Sequence, residues 1–372
     1  MRLPLLFICA LTLGAQEHNQ APPDLWREVD QLGRAIDSGD WQQAARHSSE
    51  LKTLVIDQRD AALRFASMER IGQVLSWLPA DTEAVVVSQQ PFTLTERDRD
   101  VTPGALVAAQ GYVLNLLRTA DEGRFAKPLQ GSTIRFAVLA GRKFGVHPSD
   151  GSDAMPLGMI AWEGCAVYAF GAALTHEALP KSPDTVIGAH QVWSSTGKDY
   201  TQATDATPRR TTYLAALIKP DELLVCNHKG FFSAVLEHVS GPPVSSAFER
   251  LPEWAQVDRT APLWALRHYG VQTAEHDPTD LRAGNMLGFT DDGAVGLVFQ
   301  VGHPAGKVQA RLLTRSAESP LAALAANPEF GAGVAVRRVG EGGWEYTADD
   351  EHGHGFSQVF MWMGLLGFMV LV

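Results

Sequence analysis

Histidines near carboxylates are the side chains of this sequence best suited to chemistry. His147 stands close to Asp150 and Asp153 in a Gly/Ser/Asp-rich stretch, His176 is followed by Glu177, and His190 lies in a later apolar segment. An imidazole beside a carboxylate is the general-base arrangement of hydrolases, so His147, His176 and His190 are the catalytic candidates. His352-Gly353-His354 follows Asp349-Asp350-Glu351. On a strand, residues two apart point the same way, which makes His352 and His354 candidate ligands for a divalent metal. The simpler reading of that stretch is an acidic linker, so the sequence assigns no metal and no cofactor. Cys165 and Cys226 each sit in an apolar run. They are a disulfide candidate if the chain enters an oxidising compartment.

The short loops that mark familiar chemistries are missing. There is no Gly-x-Ser-x-Gly elbow, glycine-rich dinucleotide loop, phosphate loop or His-Glu-x-x-His. Ser-x-x-Lys occurs at Ser49/Lys52 and Ser195/Lys198, but the Lys-Thr-Gly that accompanies it in serine acylases is absent. With 42 acidic against 31 basic residues the net charge is −11, which argues against a nucleic-acid partner. The partner expected is a protein or a small ligand of unknown identity.

The elements that must carry these residues begin with a leader. Arg2 precedes the apolar run Leu3–Leu13, and Gly14-Ala15 ends it before polar sequence. Residues 1–15 therefore read as a secretory signal, too short to span a bilayer. Residues 356–372 form a second apolar segment, fit either for a short membrane span or for a terminal core element. The expected location is extracytoplasmic, periplasmic or secreted, with membrane contact or anchoring through that last segment.

Between them lies a helical region, 22–78. Leu25, Val29, Leu32 and Ile36 recur at helical spacing, Ser38-Gly39-Asp40 interrupts, and a second helix starts at Trp41 and stops before Pro79. The stretch Leu32-x-x-Ala35 … Gly39-Asp40-Trp41-x-x-Ala44 resembles one helical hairpin of the tetratricopeptide kind, without a second copy. From 79 onward the texture is strands and turns, read as two α+β lobes at 79–250 and 251–350. Lys219-Pro220-Asp221-Glu222 separates two strands, Phe231–Val239 is a helix, and Gly340–Gly343 separates another strand pair. Pro183–Trp193 reads as a single strand. The fold expected is α+β: a helical hairpin, then an antiparallel, hairpin-rich sheet or sheets with helices on one face. Similar element order in the two lobes suggests a distant duplication. Two functional readings follow. One is a non-enzymatic binding or scaffold module of the cell envelope. The alternative is a secreted hydrolase whose site is assembled from distant loops.

Overall fold

The computed structural model describes residues 23–94, 105–119, 127–143, 162–174, 179, 182–199, 209–242, 245–268, 294–302, 307–314, 334–338 and 343–349. Residues 1–15, read from the sequence as a leader, the apolar segment 356–372, and His147, His176, His352 and His354 lie outside them.

Helix α1 (Pro23–Asp37) has Asp24 in its first turn and Arg34 in its last, complementing the helix dipole. Gly39 takes φ +76°, which a side chain would resist, and turns the chain. Asp40 then caps α2 (Trp41–Ser76) by accepting a hydrogen bond from the Gln43 amide at 3.0 Å. The chain divides into two units between Ala62 and Leu63, inside α2. In the last turns of α2, Ile71, Val74 and Leu75 are buried at the spacing of one helix face.

Among the described residues all strand pairings are antiparallel and belong to one sheet of 13 strands. The strands are β1 (Ala84–Ser88), β2 (Phe92–Thr93), β3 (Thr133–Lys143), β4 (Trp162–Phe170), β5 (Thr185–Ile187), β6 (His190–Asp199) and β7 (Arg209–Lys219). They continue as β8 (Glu222–Cys226), β9 (Leu263–His268), β10 (Ala294–Val301), β11 (Lys307–Thr314), β12 (Val334–Arg338) and β13 (Gly343–Asp349). Their spatial order is β12-β13-β11-β10-β9-β1-β3-β4-β8-β7-β6-β5, with β2 beside β3. From the central β1/β9 seam each half runs the same course. Three strands form a meander, and a later hairpin returns its second strand to the third: β1-β3-β4-β8-β7 on one side, β9-β10-β11-β13-β12 on the other. β2, β5 and β6 have no counterpart among the described strands of the other side.

Side chains of the central strands are buried on both faces, which is why Ala84–Val87 is an unbroken apolar run. On one face Val86, Leu139, Ala166 and Val225 pack with Val113, Leu116 and Leu117 of α3 (Ala105–Val113) and α4 (Asn115–Thr119). On the other, Val87, Val138, Val167 and Leu224 pack with the end of α2 and with Phe231, Phe232 and Val235 of α5 (Lys229–Ser240). The α+β class and the hairpin-rich antiparallel sheet are as expected. The helices lie against both faces, where the sequence reading placed them on one, because the central strands carry apolar side chains at odd and even positions alike. Pro183–Trp193 holds two strands rather than one: Gly188, at φ +61°, makes the turn between β5 and β6.

Candidate functional site

Where β1 ends, Gln89 turns its side chain under the segment that leads into β9. Its Nε2 donates to the main-chain oxygens of Arg259 and Ala261, while the Gln89 and Gln90 amides donate to Pro262 O. These bonds fix the amide, and its Oε1 is left buried without a partner. Next to it Trp264, fully buried on β9, meets Trp254 edge to face, with ring centroids 5.8 Å apart at 81°. The Trp264 indole N–H is likewise buried and unpaired. Arg259 holds its guanidinium 5.6 Å from the centre of the Trp254 ring.

These residues floor a cleft of about 60 Å³, whose wall is the α2 face carrying Met68, Ile71, Gly72 and Leu75 and whose rim includes Ser246 and Glu249. Gln89 and Trp264, both lining residues, thus each bury a polar atom without a partner, at a cost of about 1–3 kcal/mol apiece. Gly72 helps to keep the space open: nothing lies within 4 Å of where its Cβ would be. A mid-helix glycine costs roughly 1 kcal/mol against alanine. Pockets that enclose a whole small-molecule ligand run to about 300–1,000 Å³.

One residue before Trp254, Glu253 is fully buried on the short 3₁₀ turn Pro252–Gln256. Its Oε1 lies 2.9 Å from Nδ1 of His268, and its Oε2 has no partner. Glu253 presses on β10 at Gly296, where any Cβ would meet the carboxylate at 1.9 Å. Only glycine fits there.

Of the sequence-derived catalytic candidates, His190 alone is among the described residues. Its Nδ1 sits 3.2 Å from the Leu217 carbonyl oxygen, a main-chain partner and not a carboxylate. Cys165 and Cys226 are register partners on β4 and β8, and both are free thiols. The adjacent pair Gly164/Asn227 exchanges a main-chain bond from Asn227 N to Gly164 O, so Cys165/Cys226 occupies the next, non-hydrogen-bonded position. That position places Cα atoms about 4.5 Å apart with side chains closest. Burial, and then the Cys165 thiol beside it, push the Cys226 thiol well above its ordinary range. Among the described residues a metal-capable group occurs in the helical hairpin, Glu28 with His47 and Glu50. The sequence reading missed it, together with Gln89 and the Glu253–His268 pair. Only His47-x-x-Glu50 carries a local signal, one helical turn between an imidazole and a carboxylate.

Comparison with family models and with curated proteins returns no match. Among solved structures the chain is similar to three crystal forms of TP0453, each at 9% identity. The TM-scores are 0.38, 0.35 and 0.34, covering 78%, 78% and 74% of this chain and 96%, 97% and 93% of the other. Likeness at this level carries no argument about function. No described helix is long and apolar enough to cross a membrane.

Proposed function

We propose that the chain is an exported protein of the cell envelope that acts as a non-enzymatic binding or scaffold module. The cleft beneath α2 seats one side chain of a protein partner. The observation that carries this reading is the packing around the central strands, which are covered by apolar side chains and helices on both faces, with a small cleft of about 60 Å³ beneath α2. The paired aromatic rings, the guanidinium and the orphaned amide and indole groups supply the anchor chemistry common at the centres of protein interfaces. The envelope location rests on the leader at 1–15 and the apolar segment at 356–372. The deciding experiment is Gly72→Leu, which fills the cleft from the helix side. Crosslinking from Glu249 to envelope proteins should disappear in this variant while its unfolding midpoint stays within that of wild type. Retained crosslinking with a filled cleft would remove the cleft from the interface.

The hydrolase reading keeps one specific observation, the Glu253–His268 pair, in which a carboxylate orients an imidazole as in catalytic triads. Hydrolysis of esterase, peptidase or glycosidase substrates that is abolished by His268→Ala, with the fold intact, would replace the binding reading with this one.

The export reading also bears on the thiol pair. In an oxidising compartment Cys165 and Cys226 close to a disulfide, with a small disulfide oxidant accepting the two electrons and two protons. A bridge closing a loop of this length contributes about 4 kcal/mol in the chain-entropy model. The check is intact mass before and after reduction of protein taken from the envelope. Unchanged mass together with full alkylation after unfolding would show that the pair stays reduced.

A further inference from the structure

The seam of the helical hairpin combines an apolar stripe with a polar centre. Among its described residues through Ala62, Leu25, Val29, Leu32, Leu51, Leu54 and Val55 are half-buried, and the buried side chains are Ala35, Ala44, Glu28 and His47. At the centre of the polar part, one nitrogen faces two carboxylates. His47 Nδ1 lies 2.9 Å from Glu28 Oε2, across from α1, and 3.3 Å from Glu50 Oε2, one turn along α2. A single ring proton can be given fully to only one of them.

In both carboxylates Oε2 is the oxygen near the imidazole, while Oε1 lies 3.9 Å from a neighbouring guanidinium, Arg27 for Glu28 and Arg46 for Glu50. The three inner atoms lie within 4.8 Å of one another. A tetrahedral ion with bonds of about 2.0–2.2 Å has ligand-to-ligand edges of roughly 3.3–3.6 Å. The two edges at His47 already lie near that value, and Glu50, half exposed, can close the third.

We propose that Glu28, His47 and Glu50 form a three-ligand site for a divalent transition-metal ion, zinc above all, that clips α1 to α2. A neutral imidazole and two carboxylates balance a doubly charged ion. Mixed nitrogen and oxygen ligands select zinc, cobalt or nickel over calcium and magnesium, which favour shells of oxygen alone. Three protein ligands leave a fourth position for water. Sequence chemistry had pointed to His352 and His354 for such a role, so the test must separate the two sites.

Full-length protein is stripped with chelator and titrated with zinc by calorimetry and with cobalt by visible absorption. Expected are one ion per chain, a cobalt spectrum of tetrahedral intensity, and a rise in unfolding midpoint with zinc. His47→Ala and Glu28→Gln should abolish tight binding. Glu50→Gln, at an exposed position that does not endanger folding, should weaken it at least tenfold. The double variant His352→Ala/His354→Ala should bind as wild type does. Absence of stoichiometric binding to the wild type would overturn the proposal. So would binding that survives Glu50→Gln unchanged, or that is lost in the His352/His354 variant.

Discussion

The two halves of the sheet follow one strand course but treat the same face in opposite ways. In the first half a cross-strand row runs Val138–Val167–Leu224–Ala216, and in the second the equivalent row runs Val298–Arg311–Glu345–Arg337. The first row lies in the core beneath α5. In the second, Glu345 is buried and accepts from Arg311 Nε and Gln309 Nε2, each at 2.7 Å, and from Arg337. Gln256, from the 3₁₀ turn, accepts from Arg311 at 3.2 Å. The neighbouring row repeats the contrast, with Cys165/Cys226 in one half where Gln309/Thr347 stands in the other. One backbone plan thus accepts either a dry layer or a charged one, where the buried Glu345 carboxylate is paired on both oxygens.

The strongest challenge to this contrast is to place a charge in the dry row. Leu224→Glu puts an acid at the position equivalent to Glu345 with no guanidinium beside it, and should cost about 5 kcal/mol or prevent folding. Urea unfolding showing a loss under about 1 kcal/mol would mean that this face is not sealed. Next in size is Glu345→Ala, which strands Arg311 and should cost about 3 kcal/mol. Importing the whole dry row, as Arg311→Val with Glu345→Leu and Arg337→Ala, should recover most of that loss. Failure to recover would show that the charged layer faces water.

Acid sharpens the comparison further. Burial alone would raise the Glu345 carboxyl, but the Arg337 and Arg311 guanidinium groups outweigh it and hold the group below its ordinary range. In the hairpin, the hydrogen bond to His47 does the same for Glu28. A carboxyl depressed in the folded state adds stability above its unfolded pKa and loses it as pH falls through the folded one. Stability should therefore be level from about pH 7 to 5 and decline below about pH 4. Glu345→Gln should make that decline shallower, whereas Leu224→Ala should lower the curve without changing its shape. The smallest effect expected is Gly72→Ala, a gain of up to about 1 kcal/mol by calorimetry, since the methyl enters open space.

Elements whose signal is local were legible. The break at Ser38-Gly39-Asp40, the turn at Lys219–Glu222 and the helix from Phe231 are where residue spacing places them. Burial on both sheet faces was not legible as a second helical layer, because a short apolar run reads the same whatever covers it. The cleft was invisible for a different reason. Gln89, Trp254 and Trp264 come from separate elements, and what singles them out is two unsatisfied atoms, a property of packing rather than of residue type. Glu28 and His47 meet across a helical seam, so no linear spacing announces them.

The seam between the halves has a kinetic consequence. Within each half the meander joins near neighbours in sequence, but β1 closes on β9 through pairs such as Val86 with Ala265. Loop-closure entropy must be spent before such a distant pairing returns any stabilisation, so the seam should form last and refolding should be slow. Until then Ala84–Val87, with its apolar side chains and unpaired amides, is an open strand edge able to recruit another chain. That edge needs shielding until β9 arrives, and refolding yield should fall steeply with protein concentration.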